Sequence, residues 1–158
     1  MNENESIVVD CADNEIIITR LLDAPRELVW QVWTTPEHVA QWWGPNGFTT
    51  TTEVMDVRPG GVWKHVMHGP DGTDYPNESV FLEVIKPERI VYSHGDGERE
   101  WFKASVLFEE VGNQTRVTIR QEYPSAEARN EVALKYGAIE GGQQHLARLA
   151  GFLQEMTR

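Results

Sequence analysis

Two histidines three residues apart, His65 and His68, raise the first chemical question in this chain. Side chains on a strand alternate between faces, so residues three apart point to opposite sides and cannot share a metal ion unless a bulge intervenes. The spacing therefore predicts no metal site. His65 has Trp63 and Met67 as its neighbours on the same strand face. A lone imidazole in such a setting orients a ligand, serves as acid or base, or is a hydrogen-bonded structural residue. Glu83 poses a similar choice within Val80-Phe81-Leu82-Glu83-Val84-Ile85. Turned inward, its carboxyl would be pushed up in pKa and suit a general base. Turned outward, it leaves Val80, Leu82 and Val84 inside, as strict alternation predicts.

Trp30, Trp33, Trp42, Trp43, Trp63 and Trp101 offer either a ligand cage or a core, since a buried tryptophan covers on the order of 150–250 Å². Most read as core. Trp43, Trp63 and Trp101 are the candidates for a pocket wall, joined on the sheet side by His65, Met67, Phe81 and Glu83. Tyr136 and Ile139 supply contacts from a C-terminal helix. Asp56 and Arg58 flank a turn, where they fix a hairpin or, for Arg58, meet an anion. The chain has no G-x-S-x-G elbow, P-loop or dinucleotide fingerprint, so hydrolase, NTPase and dehydrogenase chemistry lack their usual warrants. Cys11 is the only cysteine and falls outside the expected pocket, which argues against cysteine catalysis, a disulfide or a cysteine metal cluster. No cofactor is implied.

Positioning these residues requires a fold, and 158 residues suffice for one domain with one core. A net charge of −11 opposes nucleic acid or an anionic membrane as partner, because both call for a basic surface. With no signal peptide and no long apolar run, the expectation is a cytoplasmic protein without membrane insertion. Residues 1–14 are polar and acidic apart from Ile7 to Val9 and read as a loosely held leader, with the domain proper over 15–158.

Ile16 to Asp23 reads as a first strand, ended by Ala24-Pro25 at the start of a helix whose Leu28, Val29, Val32 and Trp33 form an apolar stripe. Thr35-Pro36-Glu37 starts a second short helix, with Thr35 as its cap. From Phe48 to Tyr123 strands alternate with turns at Arg58-Pro59-Gly60-Gly61, Gly69-Pro70-Asp71-Gly72, Lys86-Pro87-Glu88, Gly95-Asp96-Gly97 and Gly112-Asn113. In the last hairpin Phe102, Ala104, Val106 and Phe108 share a face with Val117 and Ile119. Ser125 then caps one helix running to about Met156, in which the adjacent pair Gly141-Gly142 is anomalous. Each glycine costs roughly 1 kcal/mol against alanine, so either the helix backbone lies close to the sheet or it kinks over a space.

The order of strand, two short helices, antiparallel meander and long helix defines an α+β helix-grip arrangement, a curved antiparallel sheet around a C-terminal helix. Such a pairing leaves a cavity between helix and sheet. The chain resembles the Bet v 1-like or START-like superfamily, also called SRPBCC, and within it the group related to the C-terminal domain of the activator of Hsp90 ATPase. Ala24-Pro25 with Val29-Trp30, Trp42-Trp43-Gly44-Pro45, Asp56-Val57-Arg58-Pro59-Gly60-Gly61, Pro70-Asp71-Gly72, Pro87-Glu88-Arg89-Ile90-Val91-Tyr92 and Thr115-Arg116-Val117 carry the resemblance. It spans residues 15–156. Members often place an aromatic beside the helix glycine, where this chain has Gly141-Gly142, and that difference leaves room for a larger cavity.

The resemblance implies binding of a small hydrophobic or amphipathic molecule between helix and sheet, and no shared catalytic set transfers with it. Two alternatives accompany that expectation. One is a lyase or cyclase of polyketide-cyclase type using His65 or Glu83. The other is a stress-response partner of an Hsp90-type chaperone, against which a single domain without a further chaperone-binding domain argues. Oligomeric state is not legible in the sequence.

Overall fold

The computed structural model describes residues 6–9, 12–135 and 137–156. Eight antiparallel strands form one sheet: β1 (Ile7–Val9), β2 (Glu15–Leu22), β3 (Thr49–Met55), β4 (Val62–His68), β5 (Asp74–Ile85), β6 (Arg89–Gly95), β7 (Glu100–Val111) and β8 (Gln114–Glu122). Their order across the sheet is β1-β2-β8-β7-β6-β5-β4-β3. The chain leaves β2, forms α1 (Arg26–Thr34) and α2 (Pro36–Trp42), and re-enters at the far edge as β3. From there a meander walks back until β8 pairs with β2. Two helices, α3 (Ala126–Lys135) and α4 (Ala138–Met156), complete this helix-grip α+β fold.

One face of the sheet is buried, and alternation explains why. Along β7, Ala104, Val106 and Phe108 point inward, matched on β8 by Val117 and Ile119 and on β6 by Ile90 and Tyr92. Leu146, Leu149 and Leu153 of α4 cover them at helical spacing. The Arg58–Gly61 turn is sterically specified: a Cβ on Gly61 would fall 1.9 Å from the Asp56 carbonyl oxygen, and Gly60 has φ +83°. Arg58 Nε meets Asp56 Oδ2 at 2.7 Å beside it, the hairpin-fixing role expected of the pair.

Three sequence expectations are corrected, and a fourth is decided between its two alternatives. The C-terminal helix is two helices, because Gly137 adopts φ +61° and breaks it ahead of the two glycines that attracted attention. Gly141 and Gly142 lie inside α4 without breaking it, and the reason at Gly142 is close approach, since a Cβ there would sit 2.4 Å from Ile18 Cδ1. Thr35 occupies the cap position of α2, but its side chain makes no capping bond. On β5, which carries a register shift between Phe81 and Glu83, Glu83 is turned out and Val84 packs on the core as expected, but the expected facing of Val80 and Leu82 is reversed. Phe81 is buried, while Val80 and Leu82 are exposed.

Within the expected leader, Ile7–Val9 pairs with Ile17–Thr19 as an edge strand. Ser125 does cap α3, accepting the Ala128 N–H at 3.1 Å. No helix among the described residues is long and apolar enough to cross a membrane.

Candidate functional site

The tryptophans of α1 and α2 close one end of the sheet. Trp33 makes edge contacts with Trp42, Trp43 and Phe108 at ring-centroid distances of 4.9, 5.9 and 5.6 Å. The Trp42 indole N–H donates to the Val32 carbonyl at 3.0 Å. Trp43 reaches across to Trp63 on β4 at 4.6 Å, so the plug is continuous with the sheet. Arg148 of α4 locks the adjoining loop, its Nη1 donating to the carbonyls of Trp43, Gly44 and Pro45 at 3.2, 3.0 and 2.9 Å. Helix α4, the plug and the loop before β3 are therefore tied together.

Three buried histidines converge beside this plug. His65 is 1% exposed, its ring stacked on Trp63 at 4.5 Å, and neither ring nitrogen has a hydrogen-bond partner. Burial, reinforced by His94 and His145 nearby, pulls its pKa down from 6.5 to about 3, so it is neutral at pH 7. His94 is held differently. Asn77 donates from Nδ2 to the Tyr75 carbonyl at 2.7 Å, which turns Oδ1 toward His94 Nε2 at 2.8 Å and fixes the proton there. Nδ1 of His94 then accepts from the Ser79 hydroxyl at 2.7 Å. Burial lowers its pKa to about 4. His145 accepts the Gly44 N–H on Nδ1 at 3.0 Å, which leaves its proton on Nε2, and burial lowers its pKa to about 3.

Below the plug, between the sheet and the α3–α4 junction, lies a cavity of about 220 Å³ that is partly open to solvent. Ile16, Ile18 and Ile119 form its floor with Tyr92, His94 and Phe102, and Gly137, Ala138, Gly141 and Gly142 form its roof. Trp43, Met67 and His145 bound the plug side. Among the described residues its lining contains no Asp, Glu, Lys or Arg. Tyr123 donates its hydroxyl to Gln121 Oε1 at 2.8 Å, whereas the Tyr92 hydroxyl makes no hydrogen bond among the described residues. Burial raises the pKa of both phenols above the ordinary range. A larger depression of about 420 Å³ lies elsewhere, along Pro25, Leu28, Gln31 and Lys86 on the outer side of α1. It meets none of the buried polar groups.

The residues singled out in the sequence divide by location. Trp43 and Met67 line the cavity. Trp63, His65 and Phe81 are buried next to it, Phe81 parallel to Trp63 at 6.2 Å. Ile139 packs on the core without lining the cavity, and Trp101 contacts His94 from beside it at 5.6 Å. Tyr136 lies outside the described residues, as does Cys11. Glu83 is outside the site: the bulge at Leu82 carries it to the outer face, where it pairs with Arg89. His65 and His68 do point to opposite faces, and His68 is engaged at the surface by Thr51 and Asp74 at 2.8 and 2.7 Å. Among the described residues no cluster of metal-ligating side chains forms.

Sequence reasoning passed over Tyr92, His94 and His145. The signals were present: Ile90, Tyr92 and His94 alternate on β6, and His145 stands four residues before Leu149 on the inward stripe of α4.

A family model described as "Activator of Hsp90 ATPase homolog 1-like protein" matches residues 23–154. Among solved structures, a protein of Mycobacterium smegmatis is 28% identical, with a TM-score of 0.84 over 95% of this chain and 99% of its own. A protein of Arthrobacter aurescens is 27% identical, with a TM-score of 0.84 over 94% of this chain and 91% of its own. A protein of Nitrosomonas europaea is 26% identical, with a TM-score of 0.83 over 94% and 99%. No curated protein matches the sequence.

Proposed function

Because the chain belongs to the family of Activator of Hsp90 ATPase homolog 1-like proteins, we propose that it holds a small hydrophobic or amphipathic molecule between the sheet and the α3–α4 pair. The observation that carries this reading is the cavity of about 220 Å³, with aromatic and aliphatic walls and a few convergent polar groups. A lyase or cyclase reading has less support. Its two candidate groups are separated, Glu83 on the outer face and His65 sealed in the plug with neither nitrogen facing a proton to move.

Saturation-transfer NMR with lipids, aromatic acids and polyketide-like compounds tests the proposal. At least one class is expected to give signals that disappear in Val132→Trp, where a large ring enters the cavity from α3. Silence from every class overturns it. The family description favours one second reading, stimulation of an Hsp90-type ATPase, for which the direct measurement is ATP turnover by a purified chaperone with and without this protein.

A further inference from the structure

We infer that the ligand is an uncharged molecule of about one aromatic ring carrying a carbonyl or hydroxyl oxygen, gripped by the Tyr92 hydroxyl and by Nε2–H of His145. This rests on the binding reading above and sharpens it.

Size comes first. An apolar cavity of about 150 Å³ takes up benzene, whereas pockets for drug-sized ligands begin near 300 Å³. At about 220 Å³ this one, partly open to solvent, encloses a ring with a short substituent and lets anything longer protrude. The aromatic walls, with Phe102 stacked on His94 at 4.9 Å and Trp43 at the plug side, suit a flat occupant.

Polar chemistry follows from which groups are already engaged. His94 uses both ring nitrogens, on Ser79 and Asn77, and the Tyr123 hydroxyl is on Gln121. Two lining groups are not engaged. Tyr92 is 4% exposed and its hydroxyl has no partner among the described residues. His145 is 9% exposed, its Nδ1 is taken by Gly44, and its Nε2–H has no partner among the described residues. Neither atom is among the fully enclosed polar atoms, so both retain surface, and the cavity is the space that both residues line. A buried donor left without a partner is costly, so a ligand whose oxygen accepts from these donors is favoured over a hydrocarbon.

Charge is disfavoured by the described surroundings. A carboxylate would find no cation among the described wall residues, because the three histidines are held neutral and Arg148 is committed to three loop carbonyls. The N-terminus of α4 would attract an anion, but Glu140 already stands in that first turn beside Gly137. An ammonium would find no carboxylate in the wall.

Acetophenone, ethylbenzene and benzoate are near-isosteric probes that separate these statements. Affinities are measured by ligand-observed NMR at pH 7.5, with the carbonyl stretch of bound acetophenone read by infrared spectroscopy. Acetophenone is expected to bind with a hydrogen-bonded carbonyl frequency. Tyr92→Phe should weaken it about fivefold relative to ethylbenzene and shift that frequency back, while ethylbenzene binding, unchanged, reports an intact cavity. Benzoate should bind at least about tenfold more weakly than acetophenone. Ethylbenzene binding with an acetophenone affinity indifferent to Tyr92→Phe, or benzoate binding the more tightly, overturns the inference and leaves the binding reading standing. So does failure of all three probes while other library compounds bind. If no compound of any class binds, both fall together.

Discussion

The two ends of the space between sheet and helices are closed by opposite means. At the α1–α2 end large rings meet edge to face, with Trp33 and Trp42 almost fully buried and Val29, Val32 and Val39 inaccessible beneath them. At the α3–α4 end the roof is Gly137, Ala138, Gly141 and Gly142, and α3 contributes Val132 while leaving Leu134 87% exposed. Close-packed aromatics leave no void. Small residues over a sheet of fixed shape do, unless the backbone descends, and here it descends only at Gly142, onto Ile18. The cavity thus sits where the sequence withholds side-chain volume.

Acid should strike hardest, because His65 and His145 bind the plug to the cavity and His94 lies on its floor. Their folded pKa values of about 3, 3 and 4 lie below the ordinary 6.5. Between pH 6.5 and about 4 the unfolded chain takes up protons that the folded one refuses, so stability is complete above pH 6.5 and falls as pH drops. Each histidine contributes a slope of about 1.4 kcal/mol per pH unit in that window. Urea melts at intervals from pH 7.5 to 4.5 are expected to show a steep decline, lessened by about a third in His65→Phe. That variant should hold or gain stability at pH 7, since it removes two unpartnered buried nitrogens from an aromatic setting. A flat profile would mean that these rings are solvated.

Truncation tests the contrast directly. Trp33→Ala removes a ring that touches Trp42, Trp43, Phe108 and His145, and should cost about 3–5 kcal/mol. Val132→Ala at the cavity wall should cost less than about 1 kcal/mol, because its side chain already borders empty space. Equal losses in urea denaturation would show that the two ends are packed alike.

The plug was legible in the sequence because its determinants are local: Pro25 and Pro36 at helix starts, an apolar stripe, and Gly60-Gly61 in the turn that follows. The sheet was legible through alternation, until the bulge at Leu82. Nothing in Val80-Phe81-Leu82-Glu83 marks the extra residue, because its cause is pairing with β6. The helix break at Gly137 was passed over for a related reason. Gly137 needs only its own positive φ, whereas Gly142 is explained by Ile18, more than a hundred residues away in the chain. His94 and His145 were visible as inward positions, but their tautomers depend on Ser79, Asn77 and Gly44, which only the fold brings to them.

The adjacent glycines of α4 give the finest test, because the same added methyl should act differently at two neighbouring positions. Gly141→Ala meets Pro45 at 3.7 Å, an ordinary contact, and should gain up to about 1 kcal/mol from helix propensity. Gly142→Ala drives its Cβ to 2.4 Å from Ile18 Cδ1, so the end of that side chain must shift toward the cavity it lines. The shift should cost about 1 kcal/mol and cancel the propensity gain. If steric contact is the cause, Ile18→Val removes the methyl in question, and a double-mutant cycle of Gly142→Ala with Ile18→Val should show favourable coupling of about 1 kcal/mol. Paired with Gly141→Ala instead, Ile18→Val should be additive. Coupling at both glycines would place the close approach along the whole first half of α4 and leave less of the cavity to hold a ligand; coupling at Gly142 alone confines it to one helical turn.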